Sequence, residues 1–262
     1  MKRLLPVPAC KWMGEGPLLL FLHGIGGNKD VFDPQLPAFA EHWRAAAWDM
    51  PGYGESSLPG AEMSFEMLAD SVALLADDLG EERFDLVGHS MGGMVAQEFT
   101  ARYPERVRRL VLAGSSPAFG KPGGDWQREF LAARLQPLDE GQTPADFATT
   151  LVQSMFGRDK DQKAMSRAAL AMAELSAETY RAALNCIVTF DRRESLAAIR
   201  CPTLLIAGSE DTNAPPAVVE KMAGKIAGAE YVCMDGPGHL MNLEAPDAFN
   251  DILRGFFDRH PV

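Results

Sequence analysis

Six short apolar runs punctuate the chain, each bounded by glycine or proline: residues 17–22, 44–48, 84–87, 107–113, 203–207 and 229–234. Runs of this length that are continuous rather than alternating suit strands buried on both faces, as in a parallel sheet. Helical periodicity fills the intervals. After Ser64, a candidate N-cap, Phe65, Leu68, Val72, Leu75 and Leu79 recur at three- and four-residue steps, and Gly80 follows as a stop. Residues 91–103, closed by Pro104, and residues 217–227 and 246–257 read as further helices. Strand–helix–strand alternation predicts right-handed crossovers and a doubly wound α/β sheet.

One stretch breaks the rhythm. Residues 117–198 contain no convincing strand; helical patterns follow one another at 126–135, 145–156, 162–174 and 178–188. Gly120, Pro122, Gly123, Gly124, Pro137 and Pro144 punctuate its first part, and Arg200-Cys201-Pro202 closes it. The expectation is a core domain of residues 1–116 and 199–262, with residues 117–198 as a helical cap over one end of the sheet.

Composition narrows the setting. The chain has 262 residues, 47% of them hydrophobic and 23% charged, close to the soluble globular average and enough for a sizeable core. No apolar run approaches the length of a membrane span. Met1-Lys2-Arg3 is basic, but Pro6, Pro8 and Lys11 interrupt the apolar stretch after it, which argues against a signal peptide. A net charge of −11 repels phosphate backbones, so nucleic acid and membrane surfaces are not expected partners. Cys10, Cys186, Cys201 and Cys233 form no Cys-x-x-Cys pair and no zinc-spaced cluster with histidine. They read as buried, reduced thiols of a cytoplasmic protein, with neither metal nor organic cofactor expected. Association into a homo-oligomer is left open.

The candidate chemistry centres on Gly88-His89-Ser90-Met91-Gly92-Gly93. This fits G-x-S-x-G, in which a serine sits on a sharp strand-to-helix turn and flanking glycines let the backbone pass without Cβ clashes. A strand is predicted before it and a helix after it, as the motif requires. Ser90 needs a base, and the base an orienting acid. His239, in Gly236-Pro237-Gly238-His239, follows the last strand at the same sheet edge. His89 lies inside the turn and points away from the serine oxygen, while His42 and His260 read as surface residues. Glu210 and Asp211 both follow the fifth strand; Asp211 is the better placed. Two N–H groups, of Met91 and of Ile25 in the glycine-rich loop His23-Gly24-Ile25-Gly26-Gly27-Asn28, are candidates for an oxyanion hole. That loop is neither the dinucleotide fingerprint nor a P-loop.

With these blocks, and Asp49-Met50-Pro51-Gly52-Tyr53-Gly54-Glu55-Ser56 and Glu244-Ala245-Pro246, the chain resembles the α/β-hydrolase fold family over nearly its whole length. The order Ser90, Asp211, His239 is that family's nucleophile–acid–base order. The resemblance implies an eight-stranded, mostly parallel sheet with a helical cap inserted between strands six and seven. The segment before Pro17 is short, which predicts one early strand missing or irregular. Some members carry the acid one strand earlier, but Gly114-Ser115-Ser116-Pro117 offers no carboxylate. Serine at the nucleophile position argues against haloalkane dehalogenases and epoxide hydrolases, which carry aspartate. Gly24-Ile25-Gly26 and His89 depart from the pattern of carbon–carbon hydrolases.

The pattern looks most like bacterial carboxylesterases and the 3-oxoadipate enol-lactonase group, which implies a serine hydrolase acting on a small-molecule ester or lactone through an acyl-enzyme. Trp126, Phe130, Leu131, Phe147, Leu151 and Met155 are the candidates to shape the substrate pocket. Two other readings stay open: a cofactor-free peroxidase or C–C bond enzyme on the same scaffold, and a non-catalytic receptor for a small ligand.

Overall fold

The computed structural model describes residues 5–60, 62–121 and 123–261; Met1-Lys2-Arg3 and Pro122, which entered the sequence reading, lie outside them. In chain order the elements are β1 (Cys10–Met13), β2 (Leu18–Leu22), the short helix α1 (Leu36–Phe39), β3 (Arg44–Trp48), α2 (Phe65–Asp78), β4 (Phe84–His89), α3 (Met91–Arg102) and β5 (Val107–Ala113). Four consecutive helices follow, α4 (Asp125–Asp139), α5 (Pro144–Gln153), α6 (Gln162–Ala173) and α7 (Ala177–Ile187). The chain then returns through β6 (Thr203–Gly208), α8 (Pro216–Ala223), β7 (Glu230–Met234), the single turn α9 (Met241–Glu244) and α10 (Pro246–Arg259).

The sheet order is β1-β3-β2-β4-β5-β6-β7, parallel throughout except for β1, which pairs antiparallel with β3. Among the described residues there are thus seven strands, not eight, and the four-helix segment lies between the fifth and sixth of them. Before β2 the described residues supply the single strand β1. All five side chains of β2 are buried, as are those of β4, because helices cover both faces of the sheet. The core is continuous across it.

Local chemistry sets the helix limits. Ser64 caps α2, its hydroxyl accepting from the Met67 N–H at 3.2 Å. Gly80, at φ +75°, ends that helix: its N–H donates to Asp77, and the N–H of Glu81 reaches back to Ala76. Helix α4 runs four residues beyond the predicted end and contains Pro137. In the last turn a proline forfeits one backbone hydrogen bond, here to the carbonyl of the solvent-exposed Ala133, rather than breaking a helix interior. The charged core pair Asp85–Arg109 joins β4 to β5 through two parallel hydrogen bonds, and Arg109 also donates to the carbonyls of Phe257 and His260. Every charge is satisfied, so the pair ties the end of α10 to the sheet without leaving a bare buried ion. The four cysteines are unpaired. Cys186 is buried and Cys10 and Cys201 half-buried, but Cys233 is exposed, contrary to expectation, because β7 is an edge strand with one open flank.

Candidate active site

The strand pairing brings the predicted chemistry to one place. Leu22 stands beside Gly88, His89 beside Ala113, Ala113 beside Ile206, and Gly208 beside Met234. The loops that follow β2, β4, β5, β6 and β7 therefore leave the same edge of the sheet.

Ser90 occupies the turn between β4 and α3 at φ +55°, the one non-glycine residue with positive φ among those described. Such a conformation costs roughly 1–3 kcal/mol and persists only where the surroundings enforce it. The glycines around it show how. A Cβ on Gly88 would lie 2.4 Å from the Gly92 carbonyl oxygen, and one on Gly92 would lie 2.2 Å from that of Leu22. Both positions exclude any side chain, so α3 presses directly onto the strand ends and the serine projects out of the turn. Ser115 adds a hydrogen bond of 2.9 Å from its hydroxyl to the Ser90 carbonyl.

His239 Nε2 lies 2.9 Å from Ser90 Oγ, and His239 Nδ1 lies 2.8 Å from Asp211 Oδ2. Asp211 is fixed by two further donors on its other oxygen, the N–H groups of Asn213 at 2.8 Å and Ala214 at 3.0 Å. Burial alone would push the Asp211 carboxyl up. The imidazole and the two N–H groups outweigh it and hold the acid below its ordinary value. An ionised Asp211 fixes the proton on His239 Nδ1, so Nε2 is the ring's acceptor and faces the serine O–H. The arrangement can move a proton from Ser90 to His239. Glu210, the alternative acid, points outward and pairs with Arg158 at 3.1 Å.

His239 is held from three sides. Its N–H donates to the Met155 carbonyl at 2.7 Å, and its own carbonyl oxygen lies 2.7 Å from His89 Nε2. Glu244 accepts from the N–H groups of Gly238 at 3.0 Å, Leu240 at 3.1 Å and Gly157 at 2.7 Å. Burial raises the Glu244 carboxyl above its usual range despite these donors. The loop after α5 is thereby stitched to the histidine loop. Glu244 stands in a motif that the sequence makes visible, but its task is not evident there; a carboxylate five residues beyond the base is the available signal. His89, read from the sequence as lying inside the turn and pointing away from the serine oxygen, supports the base from behind, its ring centroid 5.0 Å from that of His239.

The glycine-rich loop after β2 meets the serine. Gly24 packs so closely that a Cβ there would sit 2.7 Å from that of Ser90. Ile25 lines the cavity above it, and Met91, the first residue of α3, has no intrahelical acceptor for its N–H. His23 anchors the loop: Nδ1 lies 2.8 Å from the Gly24 carbonyl oxygen, and Nε2 accepts from the Met50 N–H at 3.0 Å. Asp49 anchors the neighbouring loop. It pairs with Lys29 at 2.6 Å and accepts from the Lys29 and Glu55 N–H groups at 2.8 and 3.0 Å. Gly54, at φ +50°, lies where any Cβ would strike that carboxylate.

These buried histidines have a measurable consequence. Burial lowers His23 from 6.5 to about 4, and burial together with the nearby His239 lowers His89 to about 3. A proton on His23 Nε2 would also face the Met50 N–H. Both groups stay neutral in the folded chain while the unfolded chain takes up protons below pH 6.5. Their contribution to stability is full above that value and declines as pH falls toward 4 and then 3, by about 3 kcal/mol at most for His23 alone. The urea unfolding midpoint is expected to drop steadily between pH 7 and pH 4; a flat midpoint over that interval contradicts the assignment.

Ser90 and His239 open into a cavity of about 280 Å3 roofed by the four-helix segment. Of the residues proposed to shape it, Trp126, Phe130, Leu151 and Met155 line it. Leu131 and Phe147 do not. Phe147 stands one layer behind, its ring 5.5 Å from that of Tyr180, which is itself in the wall, so it backs the cavity rather than facing it. Met172, Tyr180, Leu184 and Arg134 are lining residues that the sequence reading missed. For Arg134 the spacing was a usable signal, since Trp126, Phe130 and Arg134 fall at i, i+4 and i+8 on one face of α4.

The fold agrees with that of similar chains. The sequence profile of the alpha/beta hydrolase fold matches residues 17–246, and the chain belongs to that family. It is 31% identical over 247 residues to a pimeloyl-[acyl-carrier protein] methyl ester esterase of Klebsiella pneumoniae, covering 92% of this chain and 94% of that one. Among solved structures it is similar to a hydrolase from Pseudomonas aeruginosa, with a TM-score of 0.84, 30% identity and coverage of 95% and 94%. It is likewise similar to the enol-lactonase from Burkholderia xenovorans, with a TM-score of 0.85, 26% identity and 96% of each chain covered. No helix among the described residues is long and apolar enough to cross a membrane.

Proposed function

We propose that this chain hydrolyses a small-molecule carboxylic ester or lactone through an acyl-enzyme on Ser90. The observation that carries the reading is the hydrogen-bonded series Asp211–His239–Ser90 at the floor of an otherwise largely apolar cavity. Ser90 Oγ attacks the substrate carbonyl as His239 Nε2 takes its proton. Asp211 holds the imidazole in the required tautomer and stabilises the imidazolium. The N–H groups of Ile25 and Met91 stabilise the tetrahedral oxyanion, and losing one such donor costs about 3 kcal/mol. His239 returns the proton to the leaving oxygen. It then activates the water that releases the acyl group and regenerates the serine. The names of the related esterase and enol-lactonase support the bond class. Residues 117–198 act in this reading as the cap that closes the site from water. A receptor that merely bound a ligand would have no use for a strained serine aligned on a histidine–carboxylate pair.

A cavity of about 280 Å3 lies at the small end of ligand sites, which run from roughly 300 to 1,000 Å3. In a panel of p-nitrophenyl esters, methyl esters and lactones, steady turnover is therefore expected for short and medium acyl groups and little for long chains. Absence of turnover across the whole panel overturns the reading. A preference for the longest acyl chains contradicts the stated size limit.

A further inference from the structure

We propose that the natural substrate is an anion, an ester or lactone that carries a carboxylate away from the scissile bond, and that Arg134 binds this carboxylate. The inference rests on the hydrolase reading above and names its substrate class.

The cavity wall is mainly apolar, built from side chains such as Met94, Phe130, Leu151, Met172 and Leu184. Among the described residues no aspartate or glutamate lines it, and apart from the histidines Arg134 is its one charged side chain. Elsewhere on α4, Arg128 pairs with Asp125 and Asp139 pairs with Arg181, whereas Arg134 enters no ion pair among the described residues. That is notable in a chain with 36 acidic and 25 basic residues, where carboxylate partners are plentiful. Arg134 is half-buried, and with no carboxylate beside it the guanidinium keeps its bidentate face free for an anionic group that enters the cavity.

The guanidinium is nevertheless held in place. Its central carbon lies 5.7 Å from the centroid of the Phe130 ring. It also stands beside the Tyr180 hydroxyl, where it offsets part of the rise that burial imposes on that phenol. Phe130 and Tyr180 orient the fork without neutralising it. A planar guanidinium so presented matches a carboxylate through two parallel hydrogen bonds. Serine and arginine then address opposite ends of one molecule: the carbonyl sits at Ser90, and the anionic group reaches toward α4.

The test compares monomethyl with dimethyl esters of straight-chain dicarboxylic acids from four to eight carbons. Each pair presents at the far end either a carboxylate or a neutral methyl ester, and rates for the diester are counted per ester group. At the best-fitting length, wild type is expected to favour the monoester in kcat/KM by about 10- to 100-fold, the range of a charge-assisted hydrogen bond. In Arg134→Met that ratio is expected to collapse toward one, and Arg134→Lys to restore part of it. A wild-type ratio near one at every length, or a ratio unchanged in Arg134→Met, overturns the proposal. If wild type turns over neither ester, the hydrolase reading is decided by the ester and lactone panel above. The anion reading is then judged by calorimetric titration of the monomethyl esters into Ser90→Ala and into Ser90→Ala/Arg134→Met. Tighter binding to the former supports it, and equal binding or none overturns it.

Discussion

Replacing Ser90 by alanine is expected to lower kcat for ester hydrolysis by about 10^5- to 10^6-fold while leaving the protein folded. The size of the loss comes from the division of labour. Without Oγ there is no acyl-enzyme, and His239 has nothing to deprotonate. What survives is substrate binding and the oxyanion donors, which together give water attack a residual advantage of roughly 10^3–10^4. The fold is expected to tolerate the change. Alanine also has a Cβ, so the backbone strain at φ +55° is carried over unchanged. The one bond lost is that between Oγ and His239 Nε2 at 2.9 Å, worth about 1 kcal/mol net. Steady-state kinetics with a short-chain ester and a thermal melt on the same preparation decide the matter. Activity retained within tenfold, or a protein that no longer folds, contradicts the assignment.

The second large effect is expected from Asp211→Asn, at about 10^4-fold in kcat with little change in KM. The geometry states why a substitution so small in shape should cost so much. Asp211 Oδ1 accepts from the N–H groups of Asn213 and Ala214, so an asparagine would keep its oxygen on those donors. Its amide nitrogen would then face His239 Nδ1, 2.8 Å away in the native arrangement. An N–H donor at that point forces the imidazole proton onto Nε2, where it confronts the serine hydroxyl instead of accepting from it. The base is lost although every heavy atom stays in place. A kcat that falls less than tenfold would mean that Asp211 does not set the tautomer, and Glu210 is too far outward to replace it.

Much of this was legible in the sequence because local rules and the global fold agree there. A continuous apolar run such as Leu18–Leu22 can be satisfied only by burial on both faces, and the structure buries all five residues. The elbow was legible because Gly88 and Gly92 leave no room for a side chain. Asp211 and His239 were legible because each follows a strand that must end at the same edge as Ser90.

The features that escaped the sequence depend on approach in space between distant segments. Cys233 looked apolar enough for burial, yet strand order placed it on an open edge. Phe147 and Leu151 share one face of α5, one turn apart, but only the turn that carries Leu151 reaches the cavity. The contact between Gly157 and Glu244 joins segments 87 residues apart, and nothing in either one announces the other. Among the described residues the strand count is one short of the family expectation, with Cys10–Met13 the one strand before β2.

The central claim is that Ser90 itself becomes acylated, and the most direct test is the mass of the intact protein after reaction with a fluorophosphonate, followed by peptide mapping. A single adduct located at Ser90, absent from Ser90→Ala and formed more slowly in Asp211→Asn, is the predicted result. An adduct at another residue, or ester turnover that continues undiminished once Ser90 is blocked, would contradict it.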